Sequence, residues 1–130
     1  MFAIEKIDQI EGQINFYKLT VNGECLLDLF IDACEKEGGL DSEIIQIQSR
    51  MQSFADMKLM PKTKLNPITP KKENYKEYEI KTKHLRVYFL HDKINGFVVV
   101  TGGKKTSQKK DIQQFRSIKN RYLKQLNDEK

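Results

Sequence analysis

The chain has 130 residues, 38% of them hydrophobic and 32% charged, with no tryptophan and a net charge of +5. That is the length of one domain, with enough Ile, Leu, Val and Phe to fill a single core without disulfide or metal staples. No apolar run reaches the roughly 18–20 residues of a membrane span, and the start MFAIEKIDQIEGQ is too acidic and too broken for a signal peptide, so a soluble cytoplasmic protein is expected.

Residues 2–7 fit either a short strand or a flexible arm, and 1–13 is set apart as an N-terminal arm on that account. Residues 14–21, INFYKLTV, are rich in β-formers and predict a strand. Residues 24–37 predict a helix with Leu26, Phe30, Ala33 and Cys34 on its inner face, widened by Leu27 and Ile31. Asn22 is the expected N-cap and Gly38-Gly39 the stop. A second helix is expected from Asp41, its cap, to about Met57. It carries an apolar stripe of Ile44, Ile47, Met51 and Phe54. The short connection makes the two an antiparallel helical hairpin. Cys25 and Cys34 fall nine positions apart on the first helix, roughly 13 Å by the helical rise. A disulfide spans at most ~7 Å, so both are expected as free thiols. No CxxC or Cys/His cluster is present, and no metal site is expected.

Residues 58–76, with Pro61, Pro67 and Pro70 among lysines, predict a long basic loop. The charge balance turns over there. Residues 1–57 carry 4 Lys+Arg against 11 Asp+Glu, whereas residues 58–130 carry 19 against 7. Such asymmetry fits a basic face for a polyanion, or an ordinary solvated surface.

From residue 77 the chain predicts sheet. EYEIKTK and HLRVYFLHD are two strands, Asn95-Gly96 a hairpin turn, and FVVVTG a third strand whose unbroken apolar run suits a central place. Leu85, Val87 and Phe89 alternate with Arg86, Tyr88 and Leu90. The alternation sends Leu85 and Val87 into the core and Arg86 onto an open basic face near Lys81 or Lys83. Residues 109–126 predict a final helix, apolar at Ile112, Phe115, Ile118, Tyr122 and Leu126 and basic elsewhere. The whole of 1–130 is thus a single α+β domain: an antiparallel sheet, an N-terminal helical hairpin and a C-terminal helix.

No Walker-type loop, GxSxG or HExxH is present. Gly102-Gly103-Lys104-Lys105-Thr106 lacks the first glycine of a phosphate loop and fits a tight exit from a buried strand instead. The residues able to do chemistry are Lys81, Lys83, His84, Arg86, His91, Lys104 and Lys105, with Glu79 and Tyr88 nearby. His84 and His91 stand seven apart, on opposite faces of one strand, so they cannot act as a pair; each reads as a surface histidine.

Leu85–Phe89, the Asn-Gly hairpin and above all Val-Val-Thr-Gly-Gly-Lys-Lys-Thr-Ser-Gln-Lys-Lys-Asp-Ile at 99–112 resemble the RelE/ParE toxin superfamily, in its HigB-like branch of addiction-module killer proteins. Gly102, Gly103, Lys105, Ser107, Gln108, Asp111 and Ile112 match that branch's pattern, while Lys104 stands where the family has Asp. The likeness covers residues 77–126; the N-terminal part fits by architecture alone. The resemblance implies a RelE/ParE-like fold and the toxin of a type II toxin–antitoxin system. It further implies a metal-independent, ribosome-dependent mRNA endoribonuclease that needs no cofactor. Its partners would be a cognate antitoxin, mRNA and the ribosome. Other members of the superfamily inhibit DNA gyrase, and an inactive antitoxin-binding member is a third reading. In the nuclease reading Arg86 stabilises the phosphate, Lys81 and Lys83 bind or activate, and Lys104, Lys105 and Gln108 hold RNA. The general acid and base stay unassigned, and Gln108 and Asp111 equally fit structural roles at the helix start.

Overall fold

The computed structural model describes residues 1–129. The elements are β1 (Phe2–Lys6), β2 (Phe16–Val21), α1 (Leu26–Glu37), α2 (Asp41–Ala55), β3 (Leu65–Pro67), β4 (Glu77–Lys81), β5 (Leu85–His91), β6 (Phe97–Lys104) and α3 (Gln108–Asp128). One six-stranded sheet has the order β1-β2-β6-β5-β4-β3. The apolar run of β6 does lie centrally, and β5 and β6 pair as the expected hairpin.

The sheet is mixed, not antiparallel throughout. β2 runs parallel to β6, with Phe16 opposite Phe97. A parallel neighbour needs a long crossover, supplied here by both helices and the three strands β3–β5. Turn signals specify strands joined by hairpins. They carry no information on this pairing of distant segments.

Both faces of the sheet are covered. On one, Leu27, Cys34, Ile47 and Met51 of α1 and α2 pack on Phe16, Val87, Phe89 and Val99. Phe16, Phe54, Tyr78, Phe89 and Phe97 interlock there, with Phe54–Phe97 centroids at 4.9 Å and Phe16–Phe89 at 5.1 Å. On the other face, Phe115, Ile118 and Tyr122 of α3 pack on Tyr88, Leu90, Val98 and Val100. The stripes of α2 and α3 therefore fall as their periodicity requires. On α1 Ala33 is exposed, and burial centres on Leu27 and Cys34. Both cysteines are free thiols. Among the described residues no helix is long and apolar enough to cross a membrane.

Several local expectations shift. Residues 2–6 are an edge strand on β2, so the first part of the N-terminal arm belongs to the sheet. The 58–76 loop contains β3, which pairs with β4 at the other edge and places Pro67 where no inward amide is needed. Cys25, not Asn22, precedes α1; Asn22 has φ +52° and makes a turn with Gly23. Leu40, not Asp41, occupies the N-cap position of α2, with no side-chain cap. The β5–β6 connection is a five-residue loop rather than a two-residue turn, with positive φ at Lys93 (+71°) and, as expected, at Gly96 (+140°), but not at Asn95. Buried Asp92 holds this loop. Its carboxylate accepts the amides of Ile94, Asn95 and Gly96 at 2.6–3.2 Å and the Tyr122 hydroxyl at 2.8 Å. Burial acts to raise the Asp92 pKa, but these donors win and hold it below the ordinary value.

Candidate active site at one end of the sheet

The β4–β5 turn, the exit of β6 and the Gly38-Gly39 turn between the two N-terminal helices meet at one end of the sheet. The β4–β5 register sets Lys81 opposite Arg86, leaving the four residues 82–85 to turn the chain. Thr82 donates its amide to the Leu85 carbonyl at 3.0 Å, and Lys105 donates its amide to the His84 carbonyl at 2.8 Å. An open cleft of 380 Å³ results, lined by Glu37, Lys83, His84, Lys104, Lys105 and Thr106 with the glycine turn. Lys83 and Lys105 are exposed there. Lys104 donates to both Glu37 carboxylate oxygens, at 2.6 and 2.8 Å, and this bond raises its pKa.

Glu43, in the first turn of α2, reaches into the β4–β5 turn. One carboxylate oxygen accepts the Thr82 hydroxyl and the His84 amide, the latter at 2.7 Å. The other lies 2.7 Å from His84 Nδ1. Glu43 is buried, whereas the His84 side chain is 56% exposed. Burial acts to raise the Glu43 pKa, but the donors of Thr82 and His84 outweigh it and hold the carboxyl at about 2.

The acid limb of stability follows from that depression. With a folded value of about 2 against an ordinary 4.5, Glu43 contributes stability that is fully present above pH 4.5 and lost as pH falls through 2. One pKa unit is ~1.4 kcal/mol, and discounting for solvent on the His84 side leaves about 2 kcal/mol. Urea unfolding of Glu43→Gln and the parent at pH 7, 5, 3 and 2 should show the difference between them shrinking over the acid range. A constant difference would rule out this carboxylate as its source.

The remaining predicted residues gather on the opposite face, under the start of α3. Here the alternation argument misplaces Arg86. It is 7% exposed, not on an open basic face. Its guanidinium Nη1 donates to the carbonyls of Thr82 at 2.6 Å and Leu85 at 2.8 Å, binding the turn together. The cause is α3, which covers the face that alternation leaves to solvent. Beside Arg86 lie buried Glu79 and Tyr88, with Lys81 Nζ 3.8 Å from Glu79. Burial first, then the Glu79 and Asp111 carboxylates, push the Tyr88 pKa up. Gln108 donates to Glu79, so its amide is committed to fixing α3 on the sheet. Asp111 accepts the Ser107 hydroxyl at 2.6 Å. Its carboxylate fills the space a Cβ on Gly103 would need, while the Phe30 ring presses on Gly102 from the other face. The Gly-Gly pair thus serves close approach on two sides of an extended strand, not a tight turn.

The structure therefore brings Lys83, Lys104 and Lys105 into one cleft and sets Lys81, Arg86 and Gln108 behind it. The Glu43–His84 pair escapes sequence reasoning because its members are 41 residues apart. One signal was present: extended back to Leu40, the inward stripe of α2 includes Glu43, and a carboxylate there requires a partner. No family model, no curated protein and no solved structure matches the chain.

Proposed function

We propose that this chain is the toxin of a type II toxin–antitoxin pair, of the RelE/ParE kind, and that it cleaves mRNA on the ribosome without a metal. The observation carrying this reading is the gathering of Lys83, Lys104 and Lys105 around His84 in one open cleft. Ammonium groups so placed attract a phosphodiester and offset the charge that builds on phosphorus during cleavage. Lys83 and Lys105 grip the phosphate. Lys104, tied to Glu37, sets the cleft wall. Lys81, behind the cleft and beside Glu79, takes no part in that grip. Arg86 acts at one remove, by shaping the turn that presents Lys83 and His84. A cognate antitoxin, mRNA and the ribosome are the partners.

Induced expression of the parent should arrest growth and leave cut mRNA. Lys83→Glu with Lys105→Glu should abolish both effects. The thermal midpoint should barely move, since exposed charges contribute little. Binding to mRNA-programmed ribosomes should lose about 1–2 from its log–log salt slope, for two phosphate contacts removed. Growth arrest with intact mRNA and blocked DNA supercoiling would instead point to a protein target. A parent without effect on growth would end the toxin reading.

A further inference from the structure

The geometry points to Glu43 and His84 as an orienting carboxylate and a general acid–base for RNA cleavage in this cleft, an inference that rests on the function proposed above. Glu43 belongs to α2 and His84 to the turn after β4, so the pair exists only in the folded protein. An ionised carboxylate can only accept hydrogen bonds, so the Nδ1 atom 2.7 Å away carries the proton. In the neutral ring the free lone pair then lies on Nε2. That atom has no hydrogen-bond partner among the described residues, and the ring that carries it lines the cleft beside Lys83 and Lys105.

Two further contacts fix the ring's position. The His84 amide donates to Glu43 at 2.7 Å, and the His84 carbonyl accepts the Lys105 amide at 2.8 Å. Backbone on both sides of the imidazole is therefore pinned while its tip stays open. A histidine serving only to hold α2 against the turn needs no open nitrogen and no surrounding lysines.

The step runs as follows. His84 Nε2 takes the proton of a ribose 2′-hydroxyl, and the 2′-oxygen bonds to the adjacent phosphorus. The P–O5′ bond breaks with its electron pair leaving on the 5′-oxygen. The imidazolium returns its proton to that oxygen. The products are a 2′,3′-cyclic phosphate and a 5′-hydroxyl end, and no metal, oxidant or other reactant is consumed. Glu43 is a positioning residue. It holds the tautomer and stabilises the imidazolium between the two proton transfers.

The test uses the full chain on mRNA-programmed ribosomes, with cleavage rate and end chemistry as readouts. His84→Ala should slow cleavage by roughly a hundred- to ten-thousandfold, the usual weight of a general acid–base. Ribosome binding should stay near the parent's, the thermal midpoint should fall by the loss of one Glu43 partner while the Thr82 hydroxyl and the His84 amide still hold that carboxylate, and added free imidazole should restore part of the rate. Glu43→Gln should lower kcat with little change in KM. If the parent cleaves and His84→Ala cleaves equally well, the pair has no catalytic part and the nuclease reading survives without it. Loss of rate in a folded, ribosome-binding His84→Ala that imidazole cannot restore also overturns the acid–base role. A parent that never cleaves overturns both readings together.

Discussion

Replacement of Lys119 by alanine is expected to cost about 3–5 kcal/mol of stability, the range for stripping one partner from a buried ion pair. Lys119 lies on α3 at the position of a surface lysine by composition, yet it is 0% exposed. Its ammonium sits 2.7 Å from Glu77 and 3.4 Å from Glu73, and donates to the Tyr75 carbonyl at 3.2 Å. Glu77 is itself buried and takes a second cation, Arg116, at 2.9 Å. Without Lys119 the Glu77 carboxylate keeps only Arg116, and the Tyr75 carbonyl loses this donor. Lys119→Met retains most of the volume and should cost less than alanine, separating packing from charge. Adding Glu77→Gln to Lys119→Met should recover part of the loss, because the uncompensated charge is then gone. Urea unfolding measures each step. A cost under ~1 kcal/mol for alanine would place this lysine among ordinary surface pairs.

Arg86→Ala is expected to cost about 3 kcal/mol, because hydrogen bonds from a charged donor are worth roughly 1.5–3 kcal/mol each and two turn carbonyls would lose theirs. Both bonds close the segment that presents Lys83 and His84. Lysine should recover part of the loss, since both bonds come from the one nitrogen Nη1 and an ammonium also carries several donors on one nitrogen. Cleavage and stability then separate the two roles open to Arg86. Under the function proposed above, mRNA cleavage at a temperature where the variant is still folded should fall less than tenfold. A larger fall in a fully folded variant would return Arg86 to direct contact with the phosphate.

Periodicity made the helices legible because each buries one stripe: Ile47 and Met51 of α2, and Phe115, Ile118 and Tyr122 of α3, turn inward as their spacing demands. The apolar run of β6 signalled its central place for the same reason. Arg86 was misread because alternation reports that two faces exist, not whether both are covered. Its neighbours Tyr88 and Leu90 pointed to cover on that side, since an open face seldom carries two large residues of that kind in succession. The burial of Lys119 was not legible for a related reason: Glu77, which neutralises it, lies on another element 42 residues away. Lys83, Lys104 and Lys105 were legible as candidates, but in two separate groups, since Lys83 lies 21 residues before Lys104. The Glu43–His84 pair was not, since contact between distant segments follows from the fold and from no local pattern.

The parallel joint between β2 and β6 has a consequence for the order of events at birth. Phe16 meets Phe97 across most of the chain. Closing a loop of that size costs about 4 kcal/mol of chain entropy before any contact repays it. Strands of such separation pair late and slowly. A nascent chain therefore carries β1, β2 and both N-terminal helices through synthesis without the strand that joins them to the rest of the sheet. Lys104 ends that strand and Lys105 follows it. The basic cleft needs the end of this same strand, so the ribosome translating this chain finishes residues 97–105 before any assembled cleft exists.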